Sequence, residues 1–195
     1  GVSVTFTKDN RTQTIESDVV ANVTGRIANI DRLELGRAGV ATDRKGIILD
    51  EYLRSVSNPD IFAAGDTVSL APQLSPVATY DGRIVSHNII SSDPVSPDYS
   101  SIPYTVFTIP SLGGVGLTEP EAKAKGLQFT TVHVDLAPSK VSIIHADRST
   151  SSKVLIDSGS NLIVGAHILG HDASEIINIF ALAMQHKIPS KDLHK

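Results

Sequence analysis

One stretch restricts the architectures open to this chain more than any other. Ser91 to Ser101, reading SSDPVSPDYSS, packs two prolines, five serines and two aspartates into eleven residues. Proline lacks the amide proton that helices and central strands use, and serine and aspartate compete for backbone hydrogen bonds, so no regular element is expected to run through it. The chain of 195 residues is therefore expected to form two units, residues 1–95 and 102–195, joined by a linker.

In the first unit Val2, Val4 and Phe6 alternate with Ser3, Thr5 and Thr7 ahead of Lys8-Asp9-Asn10, which predicts a strand entering a hairpin. With so abrupt an opening, Gly1 is expected to be a cut point rather than a native terminus. Asp18 to Thr24 is apolar on both faces and predicts a short strand of a covered sheet, closing on Gly25-Arg26. Ile47 to Leu49, after Gly46, predicts another. SNPDIFAAGD, residues 57–66, then gives a turn, a brief apolar strand and the carboxylate of Asp66 at its tip. Ser75 is expected to cap a helix with Pro76 at its first position, Val77, Tyr80, Ile84 and Val85 at helical spacing, and an end near Ile90.

The second unit predicts a strand from Tyr104 to Ile109, a turn at the GGVG of residues 113–116, and a capping box at Thr118 to Glu121 opening a helix that Gly126 stops. Val132, Val134 and Leu136 alternate with polar residues, and the segments Lys153 to Asp157 and Leu162 to Leu169 flank a turn, so an antiparallel sheet is expected. Asp172 and Glu175 suggest a second capping box before a helix over 173–185. On that helix Ser174, Asn178 and Gln185 share one narrow side while Ile176, Ile177, Ile179, Phe180, Leu182 and Met184 cover most of the rest, more than one sheet face can cover. Its cover is either a second layer of the same unit or another copy of the chain. A unit of under a hundred residues has little core to spare, which favours a twofold dimer through residues 102–195.

Bulk properties exclude several functions. A net charge of −4 provides no footprint for nucleic acid, and no apolar run approaches the roughly 20 residues of a membrane span. The chain is expected to be soluble and cytoplasmic. With no cysteine there is no disulfide, thiolate metal site or cysteine nucleophile among these residues. His167 and His171 lie across Gly170 at a strand end, so helical metal-ligand spacing does not apply. No hydrolase, dinucleotide or phosphate-loop motif occurs, and neither a catalytic nor a metal residue can be assigned.

Asp66 remains. A carboxylate at the carboxyl edge of a sheet can accept hydrogen bonds from ligand hydroxyls, with Gly65 letting the ligand approach the backbone; equally, it can bond its own turn. The Ser75-Pro76 helix start has the same two readings, an electropositive site or an ordinary cap.

Four motifs in order, SNPDIFAAGD, LSPVATYDGR, IPYTVFTIPSLGGVGLTEPEA and GAHILGHDASEIINIFALAMQ, resemble the C-terminal part of the pyridine nucleotide-disulfide oxidoreductases, of which glutathione reductase is typical. The resemblance implies α/β plus α+β architecture: the end of a Rossmann-like nucleotide-binding region, then an α+β dimerisation domain with an antiparallel sheet. It implies a FAD-dependent oxidoreductase passing electrons from NAD(P)H to a disulfide or related small-molecule acceptor, and a homodimer. Asp66 matches the family aspartate that bonds the FAD ribityl chain, with Ile61, Ala63 and Gly65 beneath it. Ser75 and Pro76 match the helix start facing the flavin pyrimidine, with Ala78 close by. Gly25 matches a glycine near the nicotinamide nucleotide, followed by Asn29, and Thr105 and Phe107 match a strand on the nicotinamide side. The family's glycine-rich nucleotide motifs, redox cysteine pair and His-Pro-Thr motif are absent from these residues, so the chain is expected to be a C-terminal portion, inactive by itself. A non-catalytic binding module, or a relative of NADH oxidases and coenzyme A disulfide reductases, is the alternative.

Overall fold

The computed structural model describes residues 1–69 and 71–193. Strands β1 (Val2–Lys8) and β2 (Arg11–Ser17) form the expected hairpin, turned by Asp9 and Asn10, both at positive φ. Two consecutive left-handed residues match the right-handed twist of a tight hairpin, and aspartate and asparagine tolerate that backbone best after glycine. The strand expected over 18–24 does not form. No described strand lies beside it to take its backbone groups, and Val19 and Val23 stand exposed.

Beyond it, β3 (Thr42–Asp43) and β4 (Gly46–Ile47) make a minimal hairpin, and Leu49 continues only as a single bridge to Ser55. The strand expected within SNPDIFAAGD likewise shrinks to one bridge between Phe62 and Arg54. Ile47 bridges Val68 in parallel, the one parallel pairing among the described residues. The α/β character of this half therefore rests on that bridge and on helix α1 (Ser75–Ile90) rather than on a full sheet. Val40, Ile47, Leu49, Leu53, Ala63 and Val68 make its core, against which Ile84 and Val85 of α1 pack. Ser75 does not cap α1: Leu74, with extended backbone, holds the cap position without a side-chain bond, and Ser75 and Pro76 are the first two helical residues.

Residues 91–101 carry no helix or strand. Asn88 of α1 nevertheless ties them down, donating to the carbonyls of Tyr52 and Val95 and accepting the Val95 amide, all within 2.9 Å.

The second half is one antiparallel sheet in the order β5 (Tyr104–Val106), β6 (Leu112–Gly116), β9 (Ile163–Leu169), β8 (Ser151–Asp157), β7 (Phe129–Asp135). The GGVG segment, expected as a turn, is strand β6, paired on both sides. Its glycines answer to close packing: a Cβ on Gly113 would lie 2.5 Å from the Ala173 carbonyl oxygen, and one on Gly114 2.4 Å from the Tyr104 ring. Helix α2 (Glu119–Ala124) has the expected capping box, with the Thr118 amide 2.8 Å from Glu121 Oε2. A short helix α3 (Lys140–Ile144) is capped by Ser139. Helix α4 (Ala173–Gln185) lies on one sheet face, burying Ile177, Ala181 and Ala183 against Val115, Ala166 and Ile168. The second capping box does not form, because Asp172 sits at φ 57° with no side-chain cap bond. On the outer side of α4, Ile176, Ile179 and Leu182 stay 40%, 58% and 57% exposed. Among the described residues no helix is long and apolar enough to cross a membrane.

Candidate cofactor site

Placement of Asp66 begins inside α1. Asp81 is fully buried there, and its two oxygens accept hydrogen bonds from the Gly65 amide at 3.0 Å and the Tyr99 hydroxyl at 2.9 Å. Burial, and then the bond to Asp81, push the Tyr99 phenol well above its ordinary pKa. Gly65 turns at φ 70°, and a Cβ there would meet the Ala78 methyl at 2.9 Å, so Ala78 of α1 directly backs the turn. The backbone before Asp66 is thus held from two sides.

Asp66 itself lies in a 3₁₀ turn, Gly65–Thr67, and its side chain is 46% exposed. It does not fold back on its own loop. Its Oδ2 accepts from Arg26 Nη2 at 3.1 Å, across 40 residues of sequence, and Oδ1 has no partner among the described residues. Arg26 also donates to the Gln73 carbonyl. Gly25, Arg26 and Gln73 line a cleft of about 770 Å³, with Arg44 and Lys45 in its wall. Gly25, at φ 123°, has open space where a side chain would stand. Three cations therefore line a polar cleft, and Asp66 is joined to its wall through the bridge to Arg26.

The expected residues gather unequally. Gly25, Gly65 and Asp66 converge around Arg26, with Ala78 one layer below. Ser75 and Pro76 follow Gln73, which borders both this cleft and a second one of about 800 Å³ where Leu74 and Thr105 lie. Thr105 thereby lines a different cleft from Gly25. Phe107 projects into solvent. Sequence reasoning missed Arg26 and Asp81. Asp81 left a signal, since it falls four residues after Val77 on the buried face of α1, where an unpaired carboxylate would be costly. Among the described residues no cluster of three histidine or acidic side chains could hold a metal.

Two family models match the chain: pyridine nucleotide-disulphide oxidoreductase over residues 1–82, and the dimerisation domain of the same family over residues 102–195. An uncharacterized 19.7 kDa protein in a mercuric resistance operon of Staphylococcus aureus is 34% identical over 83% of this chain and 90% of its own length. The chain belongs to the pyridine nucleotide-disulphide oxidoreductase family. Mercuric reductase of Staphylococcus aureus is 36% identical over 98% of the chain, which spans 35% of that enzyme's length. Among solved structures, the HOCl-induced flavoprotein disulfide reductase RclA from Escherichia coli superposes with a TM-score of 0.77 at 26% identity, over 95% of this chain and 42% of that one.

Proposed function

We propose that this sequence serves a FAD-dependent NAD(P)H oxidoreductase acting on a disulfide or related small-molecule acceptor, supplying part of the FAD cradle and the homodimer surface. The observation that carries this reading is the carboxylate of Asp66, half-exposed and paired with Arg26 in the wall of a cleft that Arg44 and Lys45 also line. The donor set suits a flavin dinucleotide. Oδ1 of Asp66 is available to a ribityl hydroxyl, the cations to the pyrophosphate, and Gly25 leaves room for close approach. The first turn of α1, opened by Ser75 and Pro76, presents amides without helical acceptors and a positive dipole end toward the flavin pyrimidine. Thr105 belongs to the nicotinamide side. Bound flavin supplies the electron relay between nicotinamide and acceptor; the residues here bind and orient it.

The same reading takes residues 1–95 as the end of the nucleotide-binding regions and 102–195 as the dimerisation domain, in a cytoplasmic protein. A second reading, a binding and dimerisation module without turnover, draws on the 19.7 kDa relative whose length this chain nearly spans. Reconstitution with FAD separates the two. In the full-length protein the first requires saturable flavin binding that Asp66→Ala weakens about tenfold or more, and NADH or NADPH oxidation coupled to a disulfide acceptor. A protein that binds no flavin in any preparation, or binds it equally well after Asp66→Ala, overturns it.

A further inference from the structure

The sheet face opposite α4 carries an ordered row of side chains that the flavin reading does not use. Register places Tyr104 of β5 beside Gly114 of β6, Gly114 beside His167 of β9, His167 beside Lys153 of β8, and Lys153 beside His133 of β7. Directly paired residues project from the same face, so one row crosses all five strands. Gly114 gives up its side-chain space to the Tyr104 ring, which closes one end. His167, Lys153 and His133 then set two imidazoles on either side of one ammonium, with neighbouring strands about 4.8 Å apart.

Helix α2 makes the wall above this row. Glu119 pairs with Lys123 at 2.9 Å and with Lys153 at 3.4 Å, so among the side chains lining this wall one carboxylate is shared between two ammonium groups, while Glu121 is engaged by Thr118. Between α2 and the sheet lies a pocket of about 670 Å³, within the range of small-molecule sites, whose apolar lining comes from Leu112, Leu169 and Pro120. His167 lines it, and its Nε2 is buried without a hydrogen-bond partner among the described residues. Burial, and then the ammonium of Lys153, push His167 below the usual histidine range, with Glu121 acting the other way. The ring is therefore neutral near pH 7 and offers a single N–H donor.

The geometry points to a binding site on this face for a small organic anion: a carboxylate or phosphate ester held by Lys153 and Lys123 between His133 and His167, its apolar body resting on Leu112, Leu169 and Pro120. Lysine supplies the charge without fixed geometry, and the flanking imidazoles supply ring nitrogens on both sides. A ligand that displaces Glu119 from one lysine loses little, because that carboxylate keeps its other partner.

The test is an amide NMR titration of the folded protein with benzoate and with phenyl phosphate, using benzyl alcohol and inorganic phosphate as controls. Saturable shifts at Thr118, His133, Lys153 and His167 with either aromatic anion, and weaker ones with each control, support the site. The stronger of the two anions identifies carboxylate or phosphate ester as its chemistry. Lys153→Gln, and separately the exposed Lys123→Gln, each weaken binding about tenfold. Equal shifts with benzyl alcohol, no saturation up to about 10 mM, or unchanged binding in both variants overturns the site. Added FAD moves Gly25, Arg26 and Gln73 instead, so failure of the flavin reading and failure of this one register on different residues.

Discussion

Asp81 accepts the amide proton of Gly65 from within α1 at 3.0 Å, one residue before the carboxylate of Asp66, the proposed flavin contact. A fully buried acid thus positions a half-exposed one. Asp81→Ala strands the Gly65 amide and the Tyr99 hydroxyl and is expected to cost about 2–4 kcal/mol, whereas Tyr99→Phe costs about 1–2. Urea unfolding checks both. The double variant loses less than the sum, since each change removes the same Tyr99 bond.

Asp66→Ala behaves in the opposite manner. Its pair with Arg26 is exposed on both sides, so unfolding stability changes by less than about 1 kcal/mol. A thermal shift as large as that of Asp81→Ala would mean that Asp66 serves the fold rather than a ligand.

Two glycines give a contrast in packing. A Cβ on Gly165 would stand 1.9 Å from the Leu117 carbonyl oxygen, and backbone cannot swing aside as a side chain does. Gly165→Ala is expected to cost about 3 kcal/mol or more. Gly36 has nothing within 4 Å and no positive φ, so Gly36→Ala stays within about 1 kcal/mol of neutral on the same denaturation curve.

The uncovered side of α4 bears on assembly. Ile179 and Leu182 project from it in a family whose model here is a dimerisation domain. Ile179→Glu is expected to lower the sedimentation coefficient toward that of a monomer while secondary structure by circular dichroism holds. An unaltered sedimentation profile, with the unsubstituted chain dimeric, would place the interface elsewhere.

His167 adds a pH dependence. Its folded pKa lies below the unfolded value, so between the two the unfolded chain binds the extra proton and stability rises with pH. The contribution is complete above about pH 6.5 and lost as pH falls toward the folded value. His167→Gln should flatten the stability profile on that acid side, as followed by urea midpoints at stepped pH.

Much of this was legible in the sequence because local rules met no opposition. The Asp9-Asn10 hairpin, the α2 capping box and the apolar excess of α4 all formed as their residues dictate. Misreadings arose where one residue type answers to two physical demands. Glycine at 113, 114 and 116 suggested a turn, yet the Ala173 carbonyl, the Tyr104 ring and the Val164 carbonyl require it within a central strand. The valines of residues 18–24 suggested a strand, but pairing is nonlocal and no described neighbour exists. Asp66 was legible from the motif, whereas its links to Arg26 and, through Gly65, to Asp81 span 40 and 16 residues and leave no mark in spacing.

Asn88 carries a mechanical consequence. Its three bonds to Tyr52 and Val95, together with the bond from Tyr99 to Asp81, clamp a proline- and serine-rich stretch that by composition would be a loose tether. Those bonds hold the stretch against the first half, so it does not trail as a slack tether, and a protease seeking one there would find the backbone at Val95 and Asp98 already engaged.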